Sequence, residues 1–261
     1  MVETAAEEDS NLPTPLLRRD YEELAKHRPS QNQIIKLLKQ PEFFRLPRGA
    51  TSRNQSKRLD KILGFKISKV EQKLLKKYKA YYSLDQSGRK QKYQGCETWI
   101  GLHPQVLQTP YNEIFDFFEV LKVHNPKSIV DIGAGYGRVG LVMASMFPEA
   151  TFSGYEIVEK RLEEGNRIFE RLELDQCQMY YADLSKESFT PPIADIYFIY
   201  DFSDPLDIRK ILGQLRAVNE NRKAFVIAKG EFIQPILTKY PEFKSIVPLA
   251  KGKSWDILQL N

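Results

Sequence analysis

The 261-residue chain predicts a doubly wound α/β fold with a mostly parallel seven-stranded sheet. Three observations carry that expectation. From about residue 110, short apolar runs alternate with amphipathic helical stretches, the texture of parallel strands with helices on both faces. A glycine-rich turn follows the first strand run and opens a helix. The last two strand runs, Phe243–Leu249 and Trp255–Leu260, are joined only by AKGKS, too short for a crossover, so they must pair as an antiparallel hairpin.

The elements follow in order. Residues 1–15 hold Ser, Asn, two Pro and acidic side chains with little to bury, and are expected to be a mobile tail. Residues 16–98 are expected to be a basic helical region. Within it, 31–40 places Ile34, Ile35, Leu37 and Leu38 on one helical face and ends at Pro41. Residues 47–56 read as a loop, and 57–83 as one long or two consecutive amphipathic helices. Residues 85–98 lose periodicity and read as a linker.

Residues 99–261 form the expected α/β domain. Helix 111–123 precedes strand Ser128–Gly133. Then follow helix Arg138–Phe147, strand Thr151–Ile157, helix Glu159–Leu174 and strand Gln176–Asp183. Strand Ala194–Phe202, helix Pro205–Val218, strand Lys223–Lys229 and helix Ile233–Tyr240 lead into the closing hairpin.

Charge is segregated along the chain. Residues 26–92 hold 19 basic and 4 acidic side chains, whereas 128–261 hold 16 and 19. A basic block of this kind suits a polyanionic partner or a set of solvated helix faces. Two cysteines exclude a disulfide scaffold and a four-cysteine zinc site. No stretch is apolar enough to span a membrane, and the acidic start is unlike a secretory signal, so a cytoplasmic location is expected. His27, His103 and His124 lack ligand-like spacing, so no metal is expected. Cys96 and Cys177 read as inert.

The turn Asp131-Ile-Gly133-Ala-Gly135-Tyr-Gly137 carries the chemistry. Its glycines permit positive φ and close approach to a ligand. Gly135-Tyr-Gly137-Arg-Val-Gly140 fits a dinucleotide fingerprint. The run from Gly133, preceded by Asp131, fits an S-adenosylmethionine loop instead. Electrostatics favours the second: a pyrophosphate seeks a helix N-terminus free of carboxylates, whereas Asp131 suits a ligand bearing an ammonium and a sulfonium. Glu156 ends the second strand, where it can accept from ribose hydroxyls, and Asp183 ends the third, where it can accept from an adenine amino group. Three acids at three successive strand ends lie on the carboxyl edge of the sheet, where such folds bind ligands.

On VDIGAGYGRVG, GYEIVEKRLEEGNRI, YYADL, ADIYFIYDF and the terminal hairpin, residues 108–261 resemble the class I, seven-strand S-adenosylmethionine-dependent methyltransferases. A looser likeness, through DLSKESF, DIRKILGQLRAV and Lys253-Ser-Trp255, is to the non-SET protein-lysine methyltransferases of the disruptor-of-telomeric-silencing type. The resemblance implies S-adenosyl-L-methionine as cofactor. Asp131, Gly133, Ala134, Gly135 and Gly137 would hold its methionine side, Glu156 and Ile157 its ribose, and Asp183 and Leu184 its adenine. The upstream QTPYNEI, with Tyr111, would close over it. Tyr200, Asp201, Phe202 and Asp204 would border methyl transfer, with Trp255 a further aromatic at the mouth. DFSDP replaces the asparagine-rich turn often found there, and the N-P-P-Y-type tetrad of DNA and glutamine amide N-methyltransferases is absent.

The acceptor expected first is a protein lysine amine. Methylating it requires loss of its proton, which an apolar aromatic mouth promotes by desolvation. Asp201 or Asp204 could orient it or take a proton. The alternatives are an RNA methyltransferase that binds substrate through residues 26–92, with Tyr78, Tyr81, Tyr82 and Tyr93 as stacking aromatics, and a catalytically silent cofactor-binding module. No membrane partner is expected, and the sequence leaves the oligomeric state open.

Overall fold

A computed structural model describes residues 18–27, 29–77, 92–93, 96–97, 100–243 and 246–260. The expected tail at 1–15, and Tyr78, Tyr81 and Tyr82, lie outside the described residues.

Among the described residues, four α-helices come first: α1 (Arg18–His27), α2 (Gln31–Leu38), α3 (Ser52–Leu63) and α4 (Ile67–Lys77). A capping box opens α2: the Ser30 hydroxyl accepts from the Gln33 N–H, and the Gln33 side chain accepts from the Ser30 N–H. The loop expected over 47–56 is shorter, because Thr51 caps α3 through the Asn54 N–H. Of the two readings of 57–83, the described residues, which reach Lys77, hold two consecutive helices. Gly64 ends α3 in the left-handed region at φ 81°, a conformation glycine adopts without strain. In the expected linker, Lys92–Tyr93 and Cys96–Glu97 pair as a small antiparallel ladder.

The sheet strands are β1 (Ser128–Ile132), β2 (Thr151–Glu156), β3 (Cys177–Tyr181), β4 (Ile196–Tyr200), β5 (Ala224–Lys229), β6 (Val247–Lys251) and β7 (Trp255–Leu260). Helices α5 (Tyr111–Leu121), α6 (Arg138–Met146), α7 (Glu159–Arg171), α8 (Pro205–Val218) and α9 (Ile233–Lys239) surround them. In space the strands run 3-2-1-4-5-7-6. Strands β1 to β5 are parallel, and β7 pairs antiparallel with both β5 and β6. The expected fold class therefore stands. Most strands are one or two residues shorter at their ends than expected, and the largest shift is at the sixth: Phe243 belongs to a 3₁₀ turn, and that strand starts at Val247.

β1 and β4 are flanked by β2 and β5, which places Ser128, Thr151 and Ile196 at the entry edge and the chain reversal outside β1 and β4. Ligands bind α/β sheets at this switch point, beyond the carboxyl ends of the strands. One apolar cluster runs from Tyr21, Ile34, Phe44 and Leu59 through Phe115 and Phe118 to Val139 and Ile168. The basic helices and one face of the sheet thus share a core. No helix of the described residues is long and apolar enough to cross a membrane.

Candidate active site

A crevice opens at the carboxyl edge of β1, β2, β3 and β4. It is lined by Gly133, Gly135, Glu156, Ile157, Asp183, Leu184, Tyr200 and Phe202, all singled out from the sequence. The loop after β1 is built for close approach. Gly133 has φ 86°, and a Cβ there would lie 2.4 Å from the Phe202 Cβ. Gly135 has φ 57°. Its N–H donates to Glu156 Oε2 at 2.8 Å, while Glu156 Oε1 accepts from the Val158 N–H at 2.8 Å. Burial raises the Glu156 pKa, against the opposing pull of Arg161. Asp183 accepts from the Ser185 N–H at 3.1 Å and from its hydroxyl at 2.6 Å, closing the turn after β3.

Asp131 lies beneath this loop, 4% exposed, with no hydrogen-bond donor among the described residues. Burial, and secondarily the Glu156 carboxylate, hold its pKa well above the ordinary range. Gln108 lies over the loop, its Cγ 3.8 Å from where a Gly135 Cβ would stand. Its Nε2 donates to the Pro104 carbonyl at 3.3 Å, and its buried Oε1 has no partner. Gln108 lines the crevice and its free amide oxygen would accept from an ammonium, whereas Asp131, which is not among the lining residues, stands behind the loop as a buried acid. The Gly135 N–H that a phosphate would seek is already donated to a carboxylate. The site thus fits an amino-acid-bearing cation such as S-adenosylmethionine, and does not fit a pyrophosphate.

Other expected residues sit elsewhere. Gly137 (φ 78°) faces the core, where a Cβ would come within 2.8 Å of the Phe169 ring and 2.9 Å of the Met179 sulfur. It serves helix–sheet packing. Ala134 is buried, with its N–H donating to the Tyr155 carbonyl at 2.8 Å. Tyr111 does not reach the crevice: it is fully buried against Phe44, and its hydroxyl donates to Asp60 Oδ1 at 3.0 Å. Trp255 packs on Phe117 with ring centroids 5.0 Å apart, also away from the crevice.

The two carboxylates expected to assist transfer are structural. Asp201, at φ 26°, accepts from the Glu231 N–H at 2.7 Å and the Phe232 N–H at 3.4 Å. Asp204 caps α8, accepting from the Leu206 N–H at 2.8 Å and the Asp207 N–H at 3.1 Å. Tyr200 and Phe202 remain at the mouth. The Tyr200 hydroxyl donates to the Val106 carbonyl at 3.2 Å.

The lining is completed by Leu107, Gln108, Tyr136, Arg161 and Ser185, which the sequence does not single out, and by Ser203 of the Asp201–Pro205 turn expected at the methyl-transfer site. The sequence reading also missed how the helical layer grips the loop. Tyr136, between the second and third glycines, donates to Glu71 Oε1 at 2.7 Å. Arg161 donates to both Glu71 oxygens, at 2.9 and 3.3 Å. Arg138, the first residue of α6, is bidentate on Asp60 at 3.1 and 2.5 Å, and Gln105 donates to Asp60 Oδ2 at 2.9 Å. Two of the few acids in the basic region thus anchor both flanks of the glycine loop. Cys177 is buried, which pushes its thiol up to about 12.

Residues 124–253 match a family model described as a methyltransferase domain. The ribosomal RNA small subunit methyltransferase G of Acetivibrio thermocellus is 26% identical over 137 residues, 51% of this chain and 54% of that protein. The chain therefore spans about half the length of that curated relative. Among solved structures, an S-adenosylmethionine-dependent methyltransferase from Aquifex aeolicus aligns at 14% identity and TM-score 0.44, covering 61% of this chain and all of that one. An S-adenosylhomocysteine-bound methyltransferase of Podospora anserina aligns at 12% identity and TM-score 0.46, covering 63% and 84%.

Proposed function

We propose that this chain is an S-adenosylmethionine-dependent methyltransferase of class I fold and that it transfers the methyl group to a nitrogen nucleophile that enters the crevice uncharged. In this reading the Gln108 amide oxygen receives the cofactor's ammonium, with Asp131 behind the loop. Glu156 takes the ribose hydroxyls with the lone pairs its two backbone donors leave over, and Asp183 and Leu184 frame the adenine. Ala134 and Gly137 shape the loop from behind. Bound there, the cofactor supplies a sulfonium methyl group that a nitrogen lone pair can displace, leaving a neutral thioether.

The observation that carries the acceptor class is the fate of Asp201 and Asp204. Each is held by two backbone N–H groups, so neither is placed as a general base. An alcohol acceptor would need one. A nitrogen that already has its lone pair does not, and the protein's part reduces to alignment and exclusion of water. Leu107, Leu184, Tyr200 and Phe202 form the apolar rim that disfavours a charged amine and lowers its pKa on entry.

A lysine amine and a nucleobase nitrogen both meet this requirement. The aromatic rim favours the lysine reading; the basic helical layer beside the crevice favours the base. Incubation with methyl-labelled cofactor and an extract from cells lacking this protein separates them. Label on nitrogen in protein or in RNA supports a nitrogen acceptor, and label on oxygen or carbon overturns it.

A further inference from the structure

The helical layer carries a second, larger cleft of about 1100 Å³, separate from the crevice. Lys26, Lys57, Lys61, Lys66, Lys69 and Arg171 contribute to its walls. The five lysines are exposed. None of the five pairs with a carboxylate among the described residues. Asp60, the acid that reaches this cleft, is already held by Arg138, Tyr111 and Gln105. Lys57 and Lys61 stand one turn apart on α3, while Lys66 and Lys69 flank the start of α4. Their charge is therefore not spent within the fold, and it converges on one concavity.

The cleft and the crevice share a wall. His103, Pro104 and Gln105 face the cleft, and Leu107 and Gln108, a few residues on, line the crevice. The Gln108-to-Pro104 hydrogen bond folds this segment into a compact partition.

We infer that the cleft seats the phosphodiester backbone of RNA, from which one unstacked base crosses the partition at residues 103–108 into the crevice. This rests on the nitrogen-acceptor reading and names its substrate. Phosphate neutralisation by lysine supplies sequence-independent affinity and releases counterions. Enzymes that modify a base take it out of the stack, so the backbone site and the reacting site must be distinct but close. A short partition between a basic cleft and an aromatic-rimmed crevice meets that need. A peptide of net positive charge would be repelled at the same surface.

The test uses the full chain and a fluorescein-labelled RNA hairpin, with affinity followed by anisotropy across a salt series. The expected slope of log affinity against log salt is about −3 to −5 for a site of this many cations. Lys57→Gln/Lys61→Gln should cut affinity roughly tenfold or more and flatten the slope by about 2. Lys66→Gln/Lys69→Gln, on the other helix, should do the same, so that one misfolded variant leaves the other decisive. Calorimetric binding of S-adenosylhomocysteine should be unchanged in both. A flat salt slope, native affinity in both double variants, or equal binding of a polyglutamate of similar charge overturns the RNA cleft. Loss of cofactor binding in the unaltered chain would overturn the methyltransferase reading instead, so the two failures are distinguishable.

Discussion

Two groups of carboxylates lie within one molecule under opposite conditions. Asp60 and Glu71, in the helical layer, are buried and saturated: each holds an arginine and a tyrosine hydroxyl. Asp131 and Glu156, at the strand ends, are equally buried but form no ion pair among the described residues; Asp131 has no hydrogen-bond donor there, and Glu156 has two backbone N–H groups and only the more distant pull of Arg161. The helical-layer acids are stabilised by what the chain supplies. The strand-end acids await something the chain does not supply. Removing a helical-layer acid should damage the fold, whereas neutralising a strand-end acid should damage binding and leave the fold intact.

The largest expected effect is from Asp60→Ala, which strands Arg138 as a buried unpaired cation. Such a loss costs about 3–5 kcal/mol, and urea unfolding should show it as an earlier midpoint at unchanged slope. Next comes Gly137→Ala, whose Cβ meets the Phe169 ring and the Met179 sulfur from a left-handed backbone. Overpacking at such a site costs about 2–3 kcal/mol, again on stability. The contrast is sharpest at Asp131→Asn. Affinity for S-adenosylhomocysteine should weaken by about 1–3 kcal/mol in calorimetry, while the ligand-free protein should melt no earlier than the native one. An equal loss of stability in Asp131→Asn and Asp60→Ala would erase the distinction between the two groups.

The pH dependence gives a smaller signature of the same difference. The folded-state pKa of Asp131 is raised, so between the unfolded value of 3.8 and the raised one the native state binds the extra proton. Stability therefore falls as pH rises through that window. Subtracting thermal scans of Asp131→Asn from those of the native chain should isolate this decline. Affinity for the cationic cofactor should rise over the same window, because it prefers the ionised carboxylate. The smallest effect is expected from Tyr200→Phe, which loses one partly solvated hydrogen bond worth about 0.5–1 kcal/mol.

Much of this layout is legible in the residues themselves. Alternating runs fix the strand order's parallel core, and the short AKGKS link forces the closing hairpin. The glycine turn and the acids at Glu156 and Asp183 are found by counting from strand ends, so the crevice floor is readable without coordinates. The failures share a cause. Tyr111 and Trp255 are aromatics whose surroundings come from partners distant in sequence: Phe44 and Asp60 for one, Phe117 for the other. Asp201 and Asp204 look alike on paper, but their roles depend on which N–H groups the turns after β4 and β5 present. Glu71 and Arg161, ninety residues apart, give no local signal at all. Gln108 could have been suspected, since it opens the segment expected to close over the loop.

The double engagement of Glu156 has a kinetic corollary. By tying the Gly135 amide to the end of β2, it fixes the floor of the crevice before any ligand arrives. Little chain entropy then remains to be lost on docking. Association should proceed as a single fast phase with little change in backbone amide exchange around residues 133–137, the behaviour of a socket rather than of a closing hand.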